Sequence, residues 1–133
     1  YDGRVNEPLE TTGANATDFD DPPYCMFAEE FCVLLSEKKF KKAHTYLSPA
    51  LKENVSAAKL KEEWQRMTQR AATADVVLAL QQHMVDWPSR KAEEIGWCYL
   101  SVSAGVVNEA VSVVVGRTPR NWYWVTEVEF GRP

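Results

Sequence analysis

Histidine is nearly absent from this chain, with two in 133 residues, and cysteine is limited to three. No cluster of Cys, His, Asp and Glu has the spacing of a zinc site, so neither a metal nor another cofactor is expected. No glycine-rich phosphate loop, dinucleotide fingerprint or Ser-His-Asp order is present, which removes the nucleotide-binding and serine-hydrolase classes. No apolar run reaches the length of a bilayer crossing, so no membrane span is expected. Positive charge is scarce: 15 Lys and Arg stand against 19 Asp and Glu, for a net charge of −4. Residues 1–22 hold six acids (Asp2, Glu7, Glu10, Asp18, Asp20, Asp21) and only Arg4, a local −5, which leaves the other 111 residues near +1. Such a balance gives no basic field for nucleic acid.

The cysteines point to free thiols. Cys25 and Cys32 are seven apart on one predicted helix, a rise of about 10 Å, too far for a bridge. Cys98 falls in a predicted strand and would meet either one only through the tertiary fold. Three free thiols favour a reducing, cytoplasmic compartment. An exported or anchored form stays open: the chain begins at Tyr1 rather than Met, so something is expected to have been removed, a leader or lipid anchor being one alternative. Asn15-Ala-Thr17 and Asn54-Val-Ser56 fit the glycosylation pattern, a three-residue match of little weight.

What is present is core material: 45% hydrophobic and 11% aromatic residues, enough for one well-packed domain. Residues 1–22 lack apolar periodicity and read as a flexible acidic arm, with 23–133 as one domain. Asp21 is a candidate cap for a helix whose first turn accepts Pro23. Phe27, Phe31, Leu34 and Leu35 give that helix a buried stripe, and Glu29, Glu30, Lys38 and Lys39 are expected to match its dipole. A short helix over Phe40 to Leu47 follows, with Phe40, Ala43 and Leu47 inward. Ser48 and Ser56 then cap two more helices, the last carrying Leu60, Trp64 and Met67. From Asp75 the period changes to two. Four strands are predicted at Val76–Val85, Ile95–Ser103, Val106–Val115 and Trp122–Phe130, with the firmest hairpin at Ala104-Gly105. Helices followed by a run of strands predict an α+β layer, with N-terminal helices packed on a curved four-stranded antiparallel sheet.

One local pattern carries a resemblance. Phe31, Leu34-Leu35, Phe40, Ala43, Tyr46-Leu47-Ser48-Pro49, Leu51, Leu60 and Trp64 resemble the helical half of NTF2-like (cystatin-like, cone-shaped α+β) domains, and most resemble small bacterial members of unknown function. The resemblance covers roughly residues 24–130. It implies an α+β cone; a homodimer through the sheet face, and a small apolar ligand in that cone, are expected from the aromatic excess on two strands. The early hairpin usual between the second and third helices is absent, replaced by Ser48–Ser56, which implies a reduced cone. The family spans isomerases, dehydratases and many non-catalytic dimers, so the fold does not choose a function.

Aromatic residues supply the candidate ligand-binding set, Trp64, Trp97, Tyr99, Trp122 and Trp124. Strict alternation puts Trp122, Trp124, Thr126, Val128 and Phe130 on one face of the last strand, with Tyr123, Val125, Glu127 and Glu129 on the other. On the second strand it puts Ile95, Trp97, Tyr99 and Ser101 opposite Cys98, Leu100 and Val102. These faces are either core and cross-strand pairs or an aromatic pocket and dimer surface. Catalytic candidates are His83, Asp86, Glu109 and Tyr99: a carboxylate or histidine as base, a tyrosine as oxyanion donor. Glu109 and Glu127 are expected to face solvent together on neighbouring strands, and His44 to lie at the surface beside Lys41 and Lys42. Arg117-Thr-Pro-Arg120 is a basic turn, read as a plain loop or an anion holder. A non-catalytic binding or dimerisation module is the leading expectation. An isomerase- or dehydratase-like enzyme is the first alternative, and a scaffold or toxin-neutralising protein with a protein partner the second.

Overall fold

A computed structural model describes residues 21–71 and 75–131. The acidic arm, apart from Asp21 and Pro22, and the Asn15 sequon lie outside them. The chain is α+β. Helices α1 (Pro23–Ser36), α2 (Phe40–His44), α3 (Pro49–Asn54) and α4 (Ala57–Thr68) precede strands β1 (Val77–Met84), β2 (Glu94–Ala104), β3 (Val107–Arg117) and β4 (Tyr123–Phe130). The strands form one antiparallel sheet in the order β1-β2-β3-β4.

Two of the four helices, α3 and α4, begin at a serine that satisfies a free N–H group. Ser48 Oγ accepts from Leu51 N at 3.2 Å, and Ser56 Oγ accepts from Lys59 N at 3.0 Å. α1 differs from expectation. Its N-cap position is Pro22, not Asp21, and no side chain caps it. Its first turn holds no acid and its last no base, because Glu29 and Glu30 sit mid-helix and Lys38 and Lys39 lie beyond the C-cap Glu37. α1 therefore owes little to dipole or cap and much to packing.

That packing is dense. Cys25, Phe31, Cys32 and Leu35 of α1 have no exposed surface, and neither do Cys98, Leu100, Val111, Val113 and Val115 of the sheet. Leu60, Trp64 and Met67 of α4 close the same core. Burial of a side chain such as Phe31 contributes about 1.5–3 kcal/mol. The fold brings Cys98 to Cys25, with Sγ atoms 3.4 Å apart, while all three cysteines stay free and buried. Between α2 and α3 the chain runs along the outer edge of β4. Val125 N donates to Tyr46 O and Ser48 N to Val125 O, both at 2.8 Å, which covers part of that edge.

Three β-bulges reset the strand phases. One lies between Leu80 and Gln82, one between Glu94 and Gly96, and one at Thr126, where Val114 pairs with Glu127 and Val115 with Val125. The strict alternation expected for β4 therefore fails. Tyr123, Val125, Val128 and Phe130 all pack toward the helices, while Trp124, Glu127 and Glu129 point away. Ile95 likewise packs against the core rather than beside Trp97 and Tyr99.

Tyr24, in the first turn of α1, holds that helix to the sheet. Its ring lies over Gly96, where an added Cβ would stand 2.1 Å from Cε1. Its Oη and His83 Nδ1 share a hydrogen bond of 3.1 Å. Gly96 has no positive φ, so Gly→Ala would by itself stabilise by about 0.4–1 kcal/mol through the unfolded chain. Overpacking costs about 1–3 kcal/mol and wins. Gly96→Ala is expected to lower the stability measured by urea unfolding, and Gly96→Ala/Tyr24→Leu to recover part of the loss.

Burial also pushes the Cys32 thiol up from its ordinary 9.0 to about 12, with the Glu29 carboxylate adding to the effect. The folded state thus holds this proton more tightly than the unfolded one. The stability it contributes is complete below pH 9 and is lost as pH rises toward 12. Thermal melts at pH 8 and pH 10.5 should show a drop that Cys32→Ala, although less stable at pH 8, makes shallower.

Candidate functional site: the open face of the sheet

Alternation along β2 sends Cys98, Leu100 and Val102 under the helices and Trp97, Tyr99, Ser101 and Ser103 to the opposite face. The pairings extend that face across the sheet: Ala79 opposite Ser101, Met84 opposite Trp97, Ser112 opposite Tyr99, Val114 opposite Trp97. None of these residues belongs to the core cluster that the helices join. Trp97 and Tyr99 stack with centroids 5.8 Å apart and planes 16° from parallel. From β1 to β3 the exposed positions of this face are uncharged. Its exposed charges are Glu127 and Glu129 of β4.

At that acidic end lies a cleft of about 160 Å³, lined by Trp87, Ser89, Trp97, Ser112, Val114, Glu127 and Glu129. Ser112 and Val114, 8% and 5% exposed, lie deepest. A larger open groove of about 650 Å³ lies on the helical side, among Lys38, Lys39, Lys41, Lys42, Lys61, Phe40, Ala57 and Ala58. Lys39 there is paired with Glu37 at 3.2 Å.

Behind the cleft sits a carboxylate that the sequence reading passed over. Glu94 is 2% exposed. Its Oε1 accepts from Lys91 N at 2.8 Å and its Oε2 from Thr126 Oγ1 at 3.0 Å. It ties the β1–β2 loop to the bulge of β4. A Glu at the mouth of a strand, next to a second Glu, carries no signal of this in sequence.

The expected site residues do not converge. Trp64 is buried on the helical side of the sheet. Trp97, Tyr99 and Trp124 lie on the open face. Trp122 is 63% exposed just before β4, tilted against Tyr123. The buried indole Nε1 of Trp124 has no hydrogen-bond partner among the described residues. Of the catalytic candidates, His83 is directed to the helical side by its bond to Tyr24, and Asp86 is exposed in the β1–β2 loop. Glu109 pairs with Val102 and lies on the helical side, where it acts electrostatically on Arg66. Tyr99 is on the opposite face. The sheet thus separates His83 and Glu109 from Tyr99, and Glu109 from Glu127. His44 is half-buried rather than at the surface, its Nε2 2.8 Å from Val55 O. Arg117 is occupied within its own turn, donating to Asn121 Oδ1 at 2.6 Å and lying over the Tyr123 ring.

Tyr46 illustrates how local burial acts on ionisable groups here. Its hydroxyl donates to Glu30 Oε1 at 2.8 Å, and desolvation first, then that bond, pushes it up to about 12. Among the described residues no three His, Cys, Asp or Glu side chains gather as metal ligands. No helix among them is long and apolar enough to cross a membrane.

Comparison with protein-family models, curated proteins and solved structures found no match to this chain.

Glu94→Ala removes the acceptor for two donors in a buried setting, a loss of about 1–3 kcal/mol. Urea unfolding should show that loss. Glu94→Gln should be milder, because its amide oxygen still accepts from Lys91 N while Thr126 Oγ1 turns fully to Val114 O, 3.4 Å away.

Proposed function

We propose that this chain is a non-catalytic binding and assembly module of the NTF2-like type, which pairs with a second copy through the open face of its sheet. The observation that carries the reading is the unequal treatment of the two faces. The helical side is packed with side chains of zero exposure, which favours a surface over an interior pocket as the binding element. The other face bears stacked Trp97 and Tyr99, with Ala79, Met84, Ser101 and Ser103 beside them and no exposed charge from β1 to β3. A second copy suits this patch, since a two-fold axis brings like residues together and only an uncharged surface tolerates that without repulsion. Glu127 and Glu129, at the β4 edge, would fall at the rim. Separation of His83 and Glu109 from Tyr99 by the sheet argues against the isomerase-like arrangement.

Sedimentation equilibrium tests the reading. A dimer is expected above about 10 µM, the range of a modest two-fold interface. Ala79→Glu, on an exposed position of the patch, should yield a folded monomer. A wild-type chain that stays monomeric at ten times that concentration rejects the pairing.

A further inference from the structure

The geometry points to a second binding element on the same face: we propose that the cleft between the β1–β2 loop and β4 binds a primary alkylammonium group. Three observations meet there. Glu127 and Glu129 are two apart on one face of β4, about 7 Å along the strand, and both line the cleft. Neither has an ion-pair partner among the described residues. Two like charges held this close are relieved by a cation between them. The walls are indoles, Trp87 and Trp97, which attract a cation through the ring quadrupole. The deepest polar group, the Ser112 hydroxyl, belongs to a residue 8% exposed and makes no hydrogen bond to another described residue.

These features select among cations. A primary ammonium brings three N–H donors, and Glu127, Glu129 and Ser112 supply three acceptors. A quaternary ammonium has no N–H to offer Ser112 or the two carboxylates. A hard metal ion requires six or more oxygen ligands or retained waters, and three of the seven lining residues are indole or valine. The volume of about 160 Å³ suits an ammonium with a short alkyl stem. Both a free small amine and the side chain of a lysine on another protein present this group. Trp97 belongs both to the pairing patch and to the cleft wall, so the titration is run on Ala79→Glu as well as on the wild-type chain. Failure of the pairing, read by sedimentation, is then distinguishable from failure of the cleft, read by ligand titration.

The test is titration of the full chain with n-butylammonium chloride at constant ionic strength, followed by the five indole N–H resonances, with Nα-acetyl-lysine N-methylamide as a second ligand. Saturable shifts confined to Trp87 and Trp97 are expected. Glu127→Gln/Glu129→Gln should weaken binding by about tenfold or more, the scale of one charge-assisted hydrogen bond. Ser112→Ala, a change small enough for its buried position, should weaken it by about threefold to tenfold. Tetramethylammonium should bind about tenfold more weakly than n-butylammonium, and n-butanol should not saturate. Binding of the lysine derivative alone would identify a peptide ligand, and binding of butylammonium alone a free amine; either supports the site. Unchanged affinity in the folded double variant, equal shifts with n-butanol, or shifts spread over all five indoles overturns it.

Discussion

Everything in this molecule depends on a shortage of cover. The sheet has two faces and the described helices pack on one. α1 occupies that side with Cys25, Phe31, Cys32 and Leu35 against the interior of β2 and β3, and α4 closes it with Leu60, Trp64 and Met67. Tyr24 sets where α1 begins along the sheet, because its ring fits only over a residue without Cβ, at Gly96. With the apolar volume committed there, the second face carries small residues, stacked aromatics and two carboxylates. The asymmetry is physical: the side that stabilises the domain is full, and no described helix covers the other.

The bulges decide which residues that second face receives. Without the extra residue at Thr126, strict alternation would put Val128 and Phe130 on the same face as Trp124 and would turn Glu127 and Glu129 toward the helices. Burying two unpaired carboxylates is far costlier than one irregular pair in a ladder. The bulge between Glu94 and Gly96 acts the same way, bringing Ile95 to the core and leaving Glu94 to reach Thr126 across the sheet.

Much of the fold was legible in the sequence. The order of helices and strands, the serine caps at Ser48 and Ser56, the inward residues of α4 and the Ala104-Gly105 hairpin all follow from local rules. The phase of β4 was legible too, but only to a reading that allowed a slip: Tyr123, Val125, Val128 and Phe130 are spaced two, three, two, and the three marks the bulge. The candidate site was far less legible. Trp97 and Tyr99 could be put on one face of a strand, yet nothing local says that Trp87 lines a cleft with Trp97, or that Glu94 bonds to a threonine 32 residues away. The scatter of His83, Glu109 and Tyr99 over opposite faces is likewise a product of register, which long-range pairing sets.

Glu94 has a consequence for the cleft beyond stability. Trp87 and Ser89 sit on the β1–β2 loop, and loops of that length ordinarily sample many conformations. This one is held at several points. Arg90 N donates to Trp87 O, Lys91 N to Glu94 Oε1, and Arg117 N to Glu93 O, each between 2.8 and 3.0 Å. The Glu94 carboxylate then fixes the loop's end to β4 through Thr126, next to Glu127. One buried acid therefore joins the strand that carries the carboxylates to the loop that carries an indole. A cleft built this way is formed before any ligand arrives, so binding need not supply the free energy of ordering its walls. The affinity proposed for it would then rest on the carboxylates, the rings and the Ser112 hydroxyl, so that substitutions at those groups report on recognition rather than on loop closure.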